Sequence, residues 1–416
     1  MRSDPAGHRL AVDLAIHQRS VVTQDSDIAD RTNAADLRRG PGRGRRLKIA
    51  MLAPPWIPVP PRAYGGIENV VSLLTDELAE RGHEVVLYCT PGSRSAATTH
   101  PVLAAAHPDN INEAAYEVDH VARALASIDR AARVGRGFDV IHDHCGWTAL
   151  AMADRVSTPI VHTMHGPFTP DQFEFYAEHG HKGFLVAISK AQLAEGPRHL
   201  RGSAVVPNPI VVEQWPLRHD KDDYLLWVGR FNADKGPHRA IKAARLAGRP
   251  LLLAGPVQPG QEPFFATEIE PHLDGATVTY IGEIGGLAKR EVFARASALL
   301  MPIRWNEPFG MVMVEALACG TPVIAFPEGS APEIVLPGVN GFLVEDEVEM
   351  AGAVGDLTGI DADQCRASVA ARFDVEFVAD GYERAYRRAI AKFEQRPRSD
   401  ERTFVKRTEE TRRALA

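Results

Sequence analysis

Residues 47–89 read LKIAMLAPPWIPVPPRAYGGIENVVSLLTDELAERGHEVVLYC. The first seven residues are apolar apart from Lys48 and stop at a proline pair, the pattern of a short strand buried on both faces. Ile67, Val70, Val71, Leu74 and Leu78 then recur at helical spacing, and Gly82 closes the run. EVVLYC is a second buried strand. Strand, glycine loop, helix, strand is a βαβ unit, with parallel strands and a right-handed crossover. The loop lacks G-x-G-x-x-G, so a dinucleotide fingerprint is not supported. Gly65 and Gly66 can still offer backbone N–H groups to a phosphate at the helix start.

The alternation continues outward. Short apolar runs at 139–144, 159–165, 184–189 and 204–208 read as strands, several with polar residues at their C-terminal ends. A polar stretch at 211–223 interrupts the pattern. It restarts with runs at 224–230, 250–255, 277–283, 298–303 and 321–326. The reading is α/β, with two doubly wound domains in series at 47–210 and 211–375. A helix at 376–394 follows, then a charged tail at 395–416. Residues 1–46, rich in Arg, Asp and Gly, read as a disordered extension. In such sheets ligands bind beyond the C-terminal strand ends.

Bulk properties narrow the function classes. The chain has 416 residues, 45% hydrophobic content and a net charge of −7, which does not favour nucleic acid as a partner. Cys89, Cys145, Cys319 and Cys365 are far apart, with no C-x-x-C pair, which implies reduced thiols and a cytoplasmic location rather than a disulfide framework or zinc site. No apolar run approaches the ~20 residues of a membrane span. The basic cluster Arg38–Arg46 reads as a solvated tail, with peripheral contact to an anionic inner-membrane surface as the other expectation.

The stretch RWNEPFGMVMVEALACGTPVI, residues 304–324, carries chemistry. MVMVEALAC is apolar on all sides except at Glu315, and a buried carboxylate costs several kcal/mol unless it is paired. Glu315 is therefore either the single solvent-facing position of a helix or a buried group with donors. Glu307 lies eight residues earlier, on the loop feeding that helix. At ~100° per residue the two can border one cleft. Between them, the N–H groups near Phe309, Gly310 and Met311 open at a helix N-terminus, an anion site. In VGRFNADKGPHRAI, residues 228–241, Arg230 leaves a strand end and Lys235 starts the next helix. Two cations so placed suit a diphosphate held without metal.

E-x7-E followed by A-x-A-C-G-x-P-V-I resembles the signature of retaining family 4 glycosyltransferases, and further stretches agree in order from about residue 47 to 394. The resemblance implies the GT-B fold, two facing Rossmann-like domains with a cleft between them. It implies a retaining hexosyltransferase that moves a hexose from a nucleotide-diphosphate sugar to an acceptor hydroxyl, with no cofactor and no metal. The acceptor, whether glycan, lipid or small molecule, is not specified. Arg230 and Lys235 would hold the departing diphosphate, Glu307 a sugar hydroxyl and Glu315 the ribose hydroxyls. Gly66 would touch the donor phosphate. Glu283 and Ile284, after a strand end, would meet the base through their backbone. His165, in HTMHGPF, would lie beside the transferred sugar. Two other activities suit the scaffold: a sugar-nucleotide 2-epimerase and a non-catalytic nucleotide-sugar-binding protein.

His142 and His144 sit at i and i+2 on one strand face, a spacing compatible with a metal site completed by His165, although the resemblance implies none. Hydrogen-bonded histidines, or an acceptor-facing Asp143, are the other readings. Pro207-Asn208-Pro209 is similar to a family hinge element but has proline in place of its glycine. Glu333, in GSAPEIV, is expected to be structural or close to the sugar. The helix from Phe377 is expected to return to the first domain.

Overall fold

The computed structural model describes residues 45–61, 65–111 and 113–395. The expectations for the N-terminal extension and the C-terminal tail fall almost wholly outside these residues. Two parallel sheets organise the chain. The first contains β1 (Lys48–Leu52), β2 (Glu84–Cys89), β3 (Thr98–Pro101), β4 (Val140–Asp143), β5 (Ile160–Met164), β6 (Phe184–Ala187) and β7 (Ala204–Val205). Its order is β3-β2-β1-β4-β5-β6-β7. The second contains β8 (Leu225–Val228), β9 (Leu251–Ala254), β10 (Val278–Tyr280), β11 (Ala298–Met301), β12 (Val323–Ala325) and β13 (Gly341–Leu343), in the order β10-β9-β8-β11-β12-β13. Two Rossmann-like domains of this kind make up the GT-B architecture.

Each sheet is covered on both faces, because alternate residues of a strand point opposite ways. Ile49 and Met51 of β1 join a core with Val71, Leu74 and Leu78 of the helix Gly66–Glu80. Ala50 and Leu52 face the other way, onto Val121, Ala124, Leu125 and Ile128 of the helix Ala114–Arg133. In the second sheet, Leu226 and Leu299 pack with the helix Met311–Ala318, while Leu225, Trp227 and Leu300 pack with the helix Pro237–Ala247.

The last helix, Val375–Glu394, lies on the first domain. Val378, Ala379, Tyr382, Ala385, Tyr386 and Ala389 join the core of Ile49 and Met51. Arg81 ties it to the helix Gly66–Glu80 by bonding Glu77 Oε1 at 2.7 Å, the Glu376 carbonyl at 2.6 Å and the Asp380 carboxylate. Two segments cross between the domains side by side. Ile210 donates to the Phe373 carbonyl at 2.9 Å, Val375 donates to the Ile210 carbonyl at 2.8 Å, and Val212 donates to Asp374 Oδ2 at 3.2 Å. The stretch read as a polar linker, 211–223, thus has Val212 buried at 2% exposure, beside an equally buried Ile210.

Strand order reverses between β1 and β4 in the first sheet and between β8 and β11 in the second. Such switch points open crevices at the carboxyl ends of the strands, because the connections on either side leave for opposite faces.

Candidate functional site

The second switch point gathers several of the candidate residues. Arg230 and Lys235 lie on the loop after β8, and Glu307 lies on the loop after the neighbouring strand β11. The helix expected from Lys235 begins two residues later, at Pro237, behind a left-handed Gly236. A side chain at Gly236 would collide with the Pro302 carbonyl, so the two loops approach as closely as glycine permits. The Arg304 N–H donates to the Asp234 carbonyl at 2.9 Å and fixes their spacing.

Lys235 Nζ is bonded to Glu307 Oε2, and the same oxygen accepts the Trp305 indole N–H at 3.1 Å. The ammonium lies 4.5 Å from the Trp305 ring centre. Arg230 reaches Gln258 Oε1 at 3.3 Å and is half-buried. Lys235 therefore sits against a carboxylate, an arrangement the sequence reading did not anticipate.

Gly310 caps the helix Met311–Ala318 with φ +79°, and no side chain closes that end. The Met313 N–H donates to the Gly310 carbonyl at 3.0 Å, which leaves the N–H groups of Met311 and Val312 for an anion, and the helix dipole favours negative charge there. A Cβ at Gly310 would lie 2.6 Å from Met313 Cε. Phe309 is buried against Phe373, and its carbonyl accepts the Ser330 hydroxyl at 2.6 Å. Met311 is half-buried at the first helical position.

Glu315 is buried, at 6% exposure, which removes the solvent-facing reading. Its donor is Lys289, whose Nζ lies 2.6 Å from Oε1. Lys289 comes from the helix Gly286–Arg295, 26 residues upstream, and no sequence pattern paired them. Glu315 Oε2 is buried without a partner. A buried carboxylate oxygen left unbonded is costly, and a hydroxyl donor would relieve it. Glu283 is exposed and Ile284 packs on the domain core, both on the loop following β10.

Across the cleft, the first sheet presents its own strand ends. His165 follows β5, and its Nε2 lies 2.9 Å from His144 Nδ1. One ring must donate and the other accept, so the accepting ring is neutral. Burial, then the nearby His162, lowers His165 to about 3. The residue is half-buried. His144 is likewise pushed well below the ordinary range by burial and the neighbouring imidazoles, and its Nε2 has no partner. His142 is bonded through Nδ1 to Tyr386 at 2.7 Å and through Nε2 to Thr163 at 2.8 Å. With both nitrogens engaged, it is no ligand. Among the described residues no group of three or more His, Cys, Asp or Glu is arranged to hold a metal ion.

Asp143 is also not acceptor-facing. It is fully buried, accepts from His162 Nδ1 at 2.6 Å and takes the Cys145 N–H at 3.1 Å. Gly66 opens the helix Gly66–Glu80, exposed and without a side-chain cap nearby. Glu333 accepts the N–H groups of Lys190 at 3.0 Å and Ala191 at 2.7 Å, and so joins the second domain to a helix of the first. Sequence reasoning missed Trp305, Lys289 and the Glu333 partners, since each depends on a contact between elements distant in the chain.

Comparison with known proteins bears on the family and the fold. The Glycosyltransferase Family 4 model matches residues 64–213, and the model for Glycosyl transferases group 1 matches residues 213–358. A glycogen synthase of Mycobacterium tuberculosis is 27% identical over 386 residues, covering 79% of this chain and 92% of that protein. A D-inositol 3-phosphate glycosyltransferase of Mycolicibacterium smegmatis is 25% identical over 390 residues, covering 80% and 88%. The crystal structure of a glycosyltransferase involved in avilamycin A biosynthesis superimposes with a TM-score of 0.64 at 28% identity, covering 83% of this chain and 98% of that one. No helix among the described residues is long and apolar enough to cross a membrane.

Proposed function

The chain belongs to the family 4 glycosyltransferases of GT-B fold, and from that premise we propose that it moves a hexose from a nucleotide-diphosphate sugar to an acceptor hydroxyl with retention of configuration. The observation that carries this reading is the cradle at the second switch point. Arg230, Lys235 and the uncapped helix end at Gly310 converge from two adjacent strands beside Glu307.

A diphosphate in that cradle meets Arg230 and a helix N-terminus, with Lys235 brought over from Glu307, so charge developing on it as the glycosyl bond breaks is stabilised. Lys235 turns from Glu307 to the phosphate, which leaves Glu307 to accept a sugar hydroxyl. Glu315 Oε2, lacking a partner, takes a ribose hydroxyl. The base lies along the backbone at Glu283 and Ile284. His165 and the Gly66 helix end face the donor from the first domain. The anomeric carbon loses its bond to the phosphate oxygen and gains one to the acceptor oxygen on the same face. The acceptor's proton passes to the phosphate oxygen that leaves. No metal is required in this scheme, because Arg230, Lys235 and the helix end supply the positive charge. Closure of the domains excludes water, which would otherwise hydrolyse the donor.

Thermal-shift measurement with UDP-, ADP- and GDP-glucose, followed by transfer and hydrolysis assays, tests the reading. Stabilisation by one of them, with release of its nucleoside diphosphate, is expected. Indifference to every activated sugar offered would remove the proposal.

A further inference from the structure

Resting on the nucleotide-sugar reading above, we propose that Trp305 is a positioning residue of the donor site, holding Glu307 with its indole N–H and Lys235 with its ring face. Three contacts carry this. Trp305 Nε1 donates to Glu307 Oε2 at 3.1 Å, the Lys235 ammonium stands 4.5 Å from the ring centre, and Lys235 is bonded to that same Oε2. One side chain thus touches both members of a charge pair that the reaction must separate.

The ring is itself held. Trp305 is half-buried and packs against the second-domain core. Its carbonyl accepts the Glu307 N–H at 2.8 Å, and the Ser330 N–H donates to the Glu307 carbonyl at 3.0 Å. The indole is therefore packed on the core along one side, on a loop anchored through its backbone.

Two consequences follow. When Lys235 leaves Glu307 for a phosphate, the ring face keeps the ammonium attracted along its path, since an aromatic face draws a cation without a directional bond. Meanwhile the indole N–H stays on Oε2, so the carboxylate does not follow the lysine. Glu307 Oε1 and the acceptor site on Oε2 that Lys235 vacates then face the sugar on a carboxylate whose orientation the indole N–H holds. Trp305 thereby aligns Glu307 for sugar recognition without touching the nucleotide.

Substitution separates these roles. Trp305→Phe keeps a ring for Lys235 and removes the N–H; Trp305→Leu removes both. The probes are whichever of UDP-, ADP- and GDP-glucose binds the unaltered protein, and the matching nucleoside diphosphate, which lacks the sugar. Trp305→Phe is expected to weaken the nucleotide sugar about tenfold, the scale of one lost hydrogen bond to a charged group, while the bare diphosphate binds as before. Trp305→Leu is expected to weaken both and to lower kcat. Unaltered nucleotide-sugar binding in Trp305→Phe overturns the proposal. So does an equal loss of both ligands in that variant, which is what a merely structural tryptophan would give. If the unaltered protein binds no nucleotide sugar, the functional reading fails first, and this one with it.

Discussion

Lys289 Nζ lies 2.6 Å from Glu315 Oε1, while the other oxygen of that carboxylate is buried with no partner. The pair explains how a glutamate persists in an otherwise apolar helix. It also makes the lysine the weak point. Lys289→Met should leave an uncompensated buried charge and lower the unfolding free energy by about 1–3 kcal/mol, less than a fully enclosed pair because the lysine is partly exposed. Adding Glu315→Gln should restore most of the loss, since a neutral amide needs no counter-charge. Denaturant unfolding of the two single variants and the double variant measures the coupling. Additive effects would show that the two side chains do not stabilise each other.

Removing the cations acts on rate instead. Arg230→Ala and Lys235→Ala should each lower kcat by on the order of 10²–10³, the scale of a lost transition-state charge contact. Both should weaken inhibition by the product nucleoside diphosphate. Lys235→Ala also leaves Glu307 with only the indole N–H on Oε2. Its donor affinity should therefore suffer more than that of Arg230→Ala. Steady-state kinetics with donor varied at saturating acceptor distinguishes the two, and undiminished turnover in both would remove the cradle from the mechanism.

The inner strands of both sheets were legible because parallel strands buried on two faces are nearly pure apolar runs, as in KIAML and ALLM. Of the outer strands, those within 204–208 and 277–283 were also read, but the other two were not. Thr98–Pro101 reads TTHP and is largely exposed at a sheet edge, and Gly341–Leu343 is only three residues long. In the site, the glutamates and cations stood out as charged residues at the ends of apolar strands. Lys289 did not, since GLAKREVFAR gives no sign of which lysine or arginine turns inward. Trp305 looked like one loop aromatic among others. Each partner becomes visible only when two loops or helices meet, and spacing along the chain carries no record of that meeting. The same holds for Asp143, whose exposed-looking H-D-H setting hides a fully buried bond to His162.

Buried neutral imidazoles set the acid limit. His120 is fully buried, with no well-formed hydrogen bond at either ring nitrogen, although the Ala53 carbonyl faces it and offsets part of the shift. Burial lowers it to about 4, and burial lowers His165 to about 3. An unfolded histidine titrates near 6.5, so below about that pH the unfolded chain binds more protons than the folded one. Stability from these groups is complete above pH ~6.5 and falls as pH drops toward ~4. His120→Leu keeps the volume and removes the titration. It should match or exceed the parent at pH 8 and lose less stability between pH 6.5 and 4. Equal pH slopes by denaturant unfolding would show that His120 contributes nothing to acid sensitivity.

Glu333 governs how the domains meet. Its two carboxylate oxygens accept the N–H groups of Lys190 and Ala191, which begin the helix Lys190–Glu195 of the first domain. A carboxylate there satisfies orphan helix donors and complements the dipole, a contact worth on the order of 1–2 kcal/mol when partly buried. Ser330, three residues earlier, donates its backbone N–H to the Glu307 carbonyl at 3.0 Å, so this loop also supports the donor loop. Glu333→Ala should therefore loosen the domains without unfolding either. The radius of gyration in solution scattering should rise, and addition of a bound nucleotide sugar should bring it back toward the parent value. The melting temperature should change little, because each domain keeps its own core. Glu333→Gln retains one acceptor oxygen and should fall between the two. An unchanged radius of gyration in Glu333→Ala would show that the paired crossing segments at Ile210 and Phe373 alone set the interdomain geometry.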